Sequence, residues 1–197
     1  MRVCVYCGSS SASSTYLSAA RRVGATLAGR GIEVVYGGGR VGTMGALADG
    51  ALEAGGRVIG VIPEALVGWE VAHEDLTELH VVAGLHERKA MMAALSDAVV
   101  ALPGGAGTLD ELFESWTWAQ LGVHAKPVGV LNVAGFFDPL LAMVEHMQVE
   151  GFLKPAYREM LLVDDDLDRL LDRFADYRPP DYTWSDDPVD ADEASSS

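Results

Sequence analysis

Three glycine-rich segments of the chain contain the residue types that bind phosphate groups. Residues 8–11 read GSSS, residues 37–43 read GGGRVGT and residues 103–108 read PGGAGT. Consecutive glycines let the backbone approach a ligand closely, and serine or threonine hydroxyls at a helix start can donate hydrogen bonds to phosphate oxygens. A tight turn between a strand and a helix is the better explanation of any one segment alone. Three such segments at one edge of a sheet would instead predict an anion site.

Glu111 is a candidate catalytic carboxylate because it follows the third segment by about one helical turn. It shares a helix face with Thr108, which would bring a carboxylate close to the phosphate-type segment. Glu111 is predicted to lie off the apolar stripe of its helix. That stripe is formed by Leu109, Leu112, Phe113 and Trp116. An acidic residue in a first turn also interacts favourably with the helix dipole, so position alone does not separate catalysis from helix stabilisation.

Arg88 is predicted to open a helix and to continue the apolar stripe of that helix, which contains Met91, Met92 and Leu95. A cation at a helix N-terminus opposes the dipole, and a cation that faces a core must be paired or lose its hydration. Two such costs at one position indicate a functional arginine. The alternative is an arginine whose stem crosses apolar surface to reach an exposed carboxylate.

The elements that would position these residues alternate between short apolar strands and amphipathic helices. Strands are predicted over residues 2–7, 33–36, 57–62, 78–82, 98–102 and 127–132. Helices are predicted over residues 15–29, 42–54, 87–96, 108–121, 139–148 and 166–174. Valine-rich strands with little polar alternation suit a parallel sheet covered on both faces. We therefore predict an α/β fold, a doubly wound parallel sheet in a single domain over residues 1–178, with ligands beyond the carboxyl ends of the strands.

The composition excludes several classes of function. A net charge of −15 does not provide the clustered cations that polymeric nucleic acid requires. Apolar runs fall far short of the roughly 20 residues of a membrane span, and no signal peptide is recognisable, so a cytoplasmic protein is expected. Cys4 and Cys7 form a C-x-x-C pattern in an apolar strand, and the histidines show no ligand spacing, so no metal is expected. Residues 179–197 are acidic and are expected to form a disordered tail.

Residues 37–42 also satisfy the fingerprint G-x-G-x-x-G, which raises an NAD-dependent oxidoreductase as a rival function. The fingerprint follows the second predicted strand instead of the first, and 197 residues leave little room for a further domain that would bind an oxidisable substrate. No Gly-Lys-Ser/Thr follows a glycine segment, so a P-loop nucleotidase is not supported either.

Two longer motifs resemble those of a known family. Residues 103–111 (PGGAGTLDE) fit P-G-G-x-G-T-x-x-E, and residues 85–90 (LHERKA) resemble M-H-E-R-K-A. In this order they resemble the LONELY GUY (LOG) family of cytokinin riboside 5′-monophosphate phosphoribohydrolases, over about residues 2 to 174. Leu85 stands where methionine is usual, which would affect the base pocket. Residues 11–14 (SASS) lack the glycine and proline often found after the first strand.

The resemblance implies a Rossmann-like homodimer that releases a free base and ribose 5-phosphate from a small nucleotide, without a cofactor. It implies that Arg88 and Glu111 are catalytic. The substrate-binding positions that it implies are Glu70, Arg88, Lys89, Gly105, Ala106, Gly107, Thr108, Leu109, Asp110, Glu111 and Thr117. The glycine segments add Gly8, Ser9, Gly38, Gly39 and Gly104 as predicted ligand contacts. Thr117 would lie roughly 120° around the helix from Glu111, so we expect it to contact the base in a cleft shared by two subunits.

Three other functions stay open. The chain could be an AMP nucleosidase, because the sequence does not define the preferred base. It could bind a nucleotide or molybdenum cofactor without cleavage, as relatives of this fold do, although such a carrier has no evident need for both Arg88 and Glu111. Lysine decarboxylase is a label often given to this family. Its pyridoxal chemistry would require a Schiff base on Lys89, Lys126 or Lys154.

Overall fold

The protein is described here by a computed structural model that covers residues 1–10, 12–67 and 72–180. Within these ranges, seven parallel strands form one sheet in the order β4-β3-β2-β1-β5-β6-β7. The strands are β1 (Arg2–Tyr6), β2 (Glu33–Tyr36), β3 (Val58–Pro63), β4 (Glu78–Val82), β5 (Ala98–Ala101), β6 (Val128–Leu131) and β7 (Leu161–Asp164). The five interior strands are almost wholly buried, as expected of a parallel sheet with both faces covered.

Helices cover both faces of the sheet. They are α1 (Ser14–Gly29), α2 (Gly42–Glu53), α3 (Leu85–Ala94), α4 (Ala106–Gln120), α5 (Asp138–Val149), α6 (Pro155–Glu159) and α7 (Leu167–Asp176). Helices α1, α2 and α7 pack into one apolar core, and α3 to α6 pack into the other. Side chains of a strand point alternately to the two faces, so Val3 and Val5 enter the first core whereas Cys4 and Tyr6 enter the second.

The strand order reverses between β1 and β5, and this reversal positions the site. From β1 the chain extends outward through β2 to β4, and then it returns to the other side of β1 with β5. Helix α1 follows β1 onto one face, whereas α4 follows β5 onto the opposite face. The loops after β1 and β5 therefore diverge and leave a crevice at the carboxyl edge of the sheet.

The predicted fold class is confirmed, while two elements near the C-terminus were not predicted. The strands predicted over 33–36 and 78–82 have the predicted bounds, and the other four strand predictions differ by a residue at one or both ends. Helix α6 and strand β7 are only five and four residues long, too short to show a clear hydrophobic period. Helix α3 begins two residues earlier than predicted, because Gly84 is its N-cap and the Glu87 carboxylate accepts a hydrogen bond from the backbone of Ala83.

Two further expectations from the sequence concern the acidic tail and membrane-spanning helices. Of the predicted acidic tail, residues 181–197 lie outside the described residues. In the part of the chain that the structure describes, no helix combines the length and apolarity needed to cross a membrane.

Candidate active site

A cavity of about 200 Å³ lies in the crevice beyond β1 and β5. It combines the first and third glycine segments with both charged residues singled out in the sequence. Its lining residues are Cys7, Gly8, Ser9, Ser10, Met44, Arg88, Gly105, Ala106, Gly107, Thr108 and Glu111. Two of the three glycine segments thus line one cavity at this edge of the sheet, whereas all three were expected to converge there.

The second glycine segment supports the first instead of lining the cavity. The Thr43 hydroxyl accepts a hydrogen bond from Gly8 N at 2.9 Å and donates one to Gly8 O at 3.0 Å. Gly42 has φ +64, and a Cβ there would lie within 2.8 Å of the backbone of residues 8–10. The glycine at position 42 is therefore required by close contact between the two loops.

Gly38 and Gly39, predicted as ligand contacts, are not among the residues that line this cavity. Gly38 has φ +80 and packs against Ile62 and Leu79 of neighbouring strands, which accounts for glycine at this position. Gly39 accepts a hydrogen bond from the Tyr36 hydroxyl and bridges to Ala72. Both glycines thus shape the turn after β2.

The start of α4 presents backbone to the cavity. Gly105 is the N-cap, and Ala106 and Gly107 are exposed in the first turn. A Cβ on Gly105 or Gly107 would meet no atom within 4 Å, so open space lies beside them. Thr108 is buried, and a Cβ on Gly104 would overlap its hydroxyl. Glycine at 104 therefore lets Thr108 close the turn, while Gly105 and Gly107 leave room for a ligand.

Arg88 is held on the sheet by two backbone carbonyls. Its Nε donates to Val61 O at 3.1 Å and its Nη2 donates to Gly37 O at 2.8 Å. The residue is only 5 % exposed, so it is not an arginine that extends to the surface. These acceptors come from β3 and from the residue after β2, and they fix the guanidinium at the cavity wall.

Glu111 lies on the buried face of α4, contrary to the prediction that it lies off the packing stripe. That face consists of Thr108, Glu111, Leu112, Ser115, Trp116 and Ala119. Leu109 and Phe113 are only partly buried, because the helix is turned so that they lie at the edge of the contact with the sheet. The apolar residues alone suggested the wrong orientation, since polar residues occupy three positions of the packed face.

Two buried side chains of β1 face Glu111. Burial raises the pKa of the Cys4 thiol, and the charge of Glu111 raises it further. Burial likewise raises the pKa of the Tyr6 phenol, with the charges of Cys4 and Glu111 adding to the effect. Sequence reasoning missed Tyr6, although its position at the end of a strand was a usable signal. It also missed Met44 of the cavity wall, and Ser10 was given only as part of the first glycine segment.

Lys89 and Thr117 lie away from this cavity. Lys89 Nζ lies 3.0 Å from an Asp110 oxygen and 3.1 Å from a Glu114 oxygen, so it ties α3 to α4. These hydrogen bonds outweigh the effect of burial and raise the pKa of Lys89. Thr117 is exposed in a separate groove on α4, away from the buried Glu111 face. Glu70 lies outside the described residues.

The groove on α4 has a volume of about 510 Å³. It is lined by Ala106, Leu109, Asp110, Phe113, Glu114, Thr117 and Trp118. It shares only Ala106 with the cavity, so the two lie on either side of the α4 N-terminus.

Comparison with known proteins identifies relatives across most of the chain. A family model described as possible lysine decarboxylase matches residues 44–174. A probable cytokinin riboside 5′-monophosphate phosphoribohydrolase of Oryza sativa subsp. japonica, LOGL9, is 49% identical over 90% of this chain and 79% of its own length. Cytokinin riboside 5′-monophosphate phosphoribohydrolase LOG1 of Arabidopsis thaliana is 45% identical over 90% of this chain and 84% of its own length.

Solved structures support the fold at lower identity. A molybdenum cofactor binding protein from Rippkaea orientalis has a TM-score of 0.69 and 22% identity, and covers 89% of this chain and 95% of its own. The molybdenum cofactor carrier protein of Chlamydomonas reinhardtii has a TM-score of 0.68 and 22% identity, with coverage of 89% and 98%. These structures share the fold, whereas the sequence relatives define the family. The chain belongs to the LOG family of cytokinin riboside 5′-monophosphate phosphoribohydrolases.

Proposed function

We propose that this chain hydrolyses the N-glycosidic bond of N6-modified adenosine 5′-monophosphates and releases the free base and ribose 5-phosphate. The observation that carries the proposal is the cavity in which buried Arg88 and Glu111 meet two glycine segments. The reaction for which relatives at 45% to 49% identity are named supports the same assignment. A cavity that holds both charges beside a phosphate cradle suits the ribose 5′-phosphate part of a nucleoside monophosphate.

The phosphate would bind where the loop after β1 meets the start of α4. The first amides of a helix have no acceptor inside that helix, and they point outward with the positive end of the dipole. Helix α4 has 15 residues, and its exposed first turn offers backbone N–H groups from Gly105 to Gly107. Ser9 and Ser10 face them across the cavity and add hydroxyl donors. This cradle favours a monophosphate over an uncharged nucleoside.

Glu111 would support bond cleavage at C1′. The bond between C1′ and the base nitrogen breaks as the sugar becomes oxocarbenium-like, so a nearby carboxylate stabilises the developing positive charge. Glu111 also orients a water molecule and takes its proton while the water oxygen bonds to C1′. The base leaves with the electron pair of the broken bond and takes a proton from solvent, and Glu111 returns the proton of the water to solvent. Arg88, fixed by two carbonyls, holds the substrate geometry and donates a hydrogen bond to the departing base.

The groove on α4 would be completed by a second copy of the chain. Leu109, Phe113 and Trp118 line it, and Leu121 and Val123 extend the apolar surface at the end of α4 with 46% and 67% exposure. Exposed apolar patches of this kind mark interaction sites. A homodimer formed here would bring Thr117 to a shared cleft, as the family resemblance implies. Light scattering of the purified protein would show the dimer mass, and a monomer would contradict this assembly.

The positions of the lysines do not favour pyridoxal chemistry. Lys89 is paired with two carboxylates, Lys126 donates to Ala93 O, and Lys154 lies at the start of α6. All three lysines of the chain are described, and none lines the cavity. A Schiff base would need one of them in the site. A cofactor carrier is disfavoured for another reason, since it has no evident need for a buried Arg88 beside a buried Glu111.

The test replaces the carboxylate without changing its shape. Purified wild-type protein is incubated with N6-isopentenyladenosine 5′-monophosphate or AMP, and the free base is measured by chromatography. Glu111→Gln is expected to reduce kcat by about 10² to 10⁴-fold, the range for loss of an acid–base group. Glu145→Gln is the matched control, because this exposed carboxylate of α5 lines neither the cavity nor the α4 groove, and it is expected to keep kcat within a few fold. Unchanged turnover of Glu111→Gln would remove the catalytic assignment. Tight AMP binding without base release would support a carrier.

A further inference from the structure

A buried pair of hydroxyl groups lies beneath the candidate active site. The Tyr6 hydroxyl and the Ser115 Oγ are 2.8 Å apart, and both residues are 2% exposed. Tyr6 ends β1 and Ser115 lies in the third turn of α4, so the contact joins the two elements that flank the crevice. Neither residue lines the cavity, so the pair does not contact substrate.

Packing alone does not require hydroxyl groups at these positions. The surrounding core is apolar and includes Val99, Leu112 and Trp116. A buried hydroxyl loses its hydration and must find a hydrogen-bond partner. Phenylalanine at position 6 and alanine at position 115 have no polar group and would need no partner. One hydroxyl of the pair donates to the other, and the O–H that remains can orient toward a neighbouring charge.

That neighbouring charge is Glu111. Ser115 follows Glu111 by one helical turn on the same buried face of α4. Across the interface, the negative charge of Glu111 raises the pKa of both Tyr6 and Cys4, after the larger effect of burial. Tyr6 and Cys4 point to the same face of β1, because they are two residues apart. Glu111 therefore shares its buried helix face with Ser115, and the Tyr6–Ser115 contact joins that face to β1.

We propose that the Tyr6–Ser115 pair is a positioning element that holds the Glu111 carboxylate toward the cavity and stabilises its ionised form. This inference rests on the proposed function, because it assigns a role in that reaction. A hydroxyl whose own ionisation is opposed by Glu111 is a neutral dipole that can orient toward the anion. The other ionisable groups near the pair are Arg88 from α3, Cys4 and Cys7 from the first strand and its loop, and His124 and Lys126 from the segment after α4. Arg88 supplies positive charge, whereas the hydroxyl pair fixes the orientation of the Glu111 carboxylate.

The inference predicts a selective kinetic defect. Loss of the pair would leave the phosphate cradle intact, so KM should stay within about twofold. The rate kcat should fall by about 5- to 30-fold, because Glu111 loses stabilisation in the reacting state. The acid limb of the kcat–pH profile should move to higher pH, since a carboxylate with fewer hydrogen-bonding dipoles is easier to protonate.

The experiment compares Tyr6→Phe, Ser115→Ala and the double variant with the control Ser96→Ala. Ser96 is a similarly buried serine in which the hydroxyl bonds to the carbonyls of Met92 and Ala93, outside the cavity. Tyr6→Phe keeps the ring, so the core stays filled. We expect the double variant to be little slower than either single variant, because the hydroxyls act as a unit. An unshifted acid limb, or an equal defect in Ser96→Ala, would overturn the inference.

A second readout separates this inference from the proposed function. Carbon-13 NMR of the glutamate carboxyl groups, with the Glu111 signal assigned from Glu111→Gln, follows ionisation without turnover. Tyr6→Phe is expected to raise the titration midpoint of Glu111, and an unchanged midpoint would refute the positioning role. A wild-type protein that releases no base from any nucleotide would refute the proposed function instead.

Discussion

Substitution of Gly37 by alanine should displace Arg88 without altering the arginine itself. A Cβ at position 37 would overlap Nη2 of Arg88 and lie 3.1 Å from its Cζ. The same methyl group would lie 2.9 Å from the Cε of Met44, whose flexible side chain can move away. The backbone of Gly37 is outside the left-handed region, so alanine is tolerated conformationally. The guanidinium is the group that must retreat.

The magnitude follows from these distances. Carbon atoms in contact are about 3.5–4.0 Å apart, so the overlapping guanidinium must move by roughly 1 Å. That movement lengthens the 2.8 Å hydrogen bond from Nη2 to Gly37 O. A misplacement of about 1 Å can reduce a rate about 100-fold, which is the expected loss in kcat. Overpacking should also cost about 1–3 kcal/mol of stability, or about 2–4 °C in Tm per kcal/mol.

The assay is base release together with a thermal melt, and the control is Gly129→Ala. A methyl group at position 129 would lie 3.0 Å from Leu170 and Phe174 of α7, none of whose residues lines the cavity. This variant should lose comparable stability but keep kcat within about twofold. If Gly37→Ala lowers Tm and yet retains wild-type kcat, the position of Arg88 does not matter for the reaction.

Two further predictions concern the phosphate cradle and the far edge of the sheet. Gly105→Ala adds a methyl group beside the cavity with no protein atom within 4 Å, so KM should rise about tenfold or more while Tm is unchanged; an unchanged KM would place the phosphate elsewhere. Burial opposes ionisation of Asp164, but hydrogen bonds from the Asp166 backbone and the Arg169 guanidinium outweigh it and hold its pKa below its ordinary value. A depressed pKa stabilises the fold above the ordinary value and loses that effect as pH falls through the folded value. Asp164→Asn should therefore lower Tm by a few degrees at pH 7 and much less at pH 3, and an equal loss at both values would contradict this account.

The sequence was most informative where a residue type has an evident energetic cost at its position, as a cation has on an apolar stripe. Arg88 continues an apolar stripe that is buried at Met92 and partly buried at Met91 and Leu95, and Arg88 itself is buried, so its charged side chain needed acceptors that the fold had to supply. The sequence could not identify those acceptors, because Val61 O and Gly37 O are backbone atoms brought close only by sheet order. The alternation of strands and helices likewise predicted a doubly wound sheet, which fixed the edge where the site lies.

The errors arose where polar residues are buried. The apolar residues of α4 indicated one orientation of the helix, but Thr108, Glu111 and Ser115 occupy the packed face and turn it. Burial of polar groups depends on partners from distant segments, such as Tyr6 for Ser115, and a hydrophobic pattern does not contain them. Gly38 illustrates the opposite error. It was predicted to contact a ligand, but a positive φ and close packing on β3 account for glycine at this position.

The most direct test of the central claim measures both products from one substrate. Wild-type protein is incubated with N6-isopentenyladenosine 5′-monophosphate and, separately, with the corresponding riboside that lacks the phosphate. The account predicts free base and ribose 5-phosphate in equal amounts from the monophosphate, and far slower release of base from the riboside. Equal rates for the two substrates would contradict the phosphate cradle, and the absence of base from both would contradict glycosidic cleavage itself.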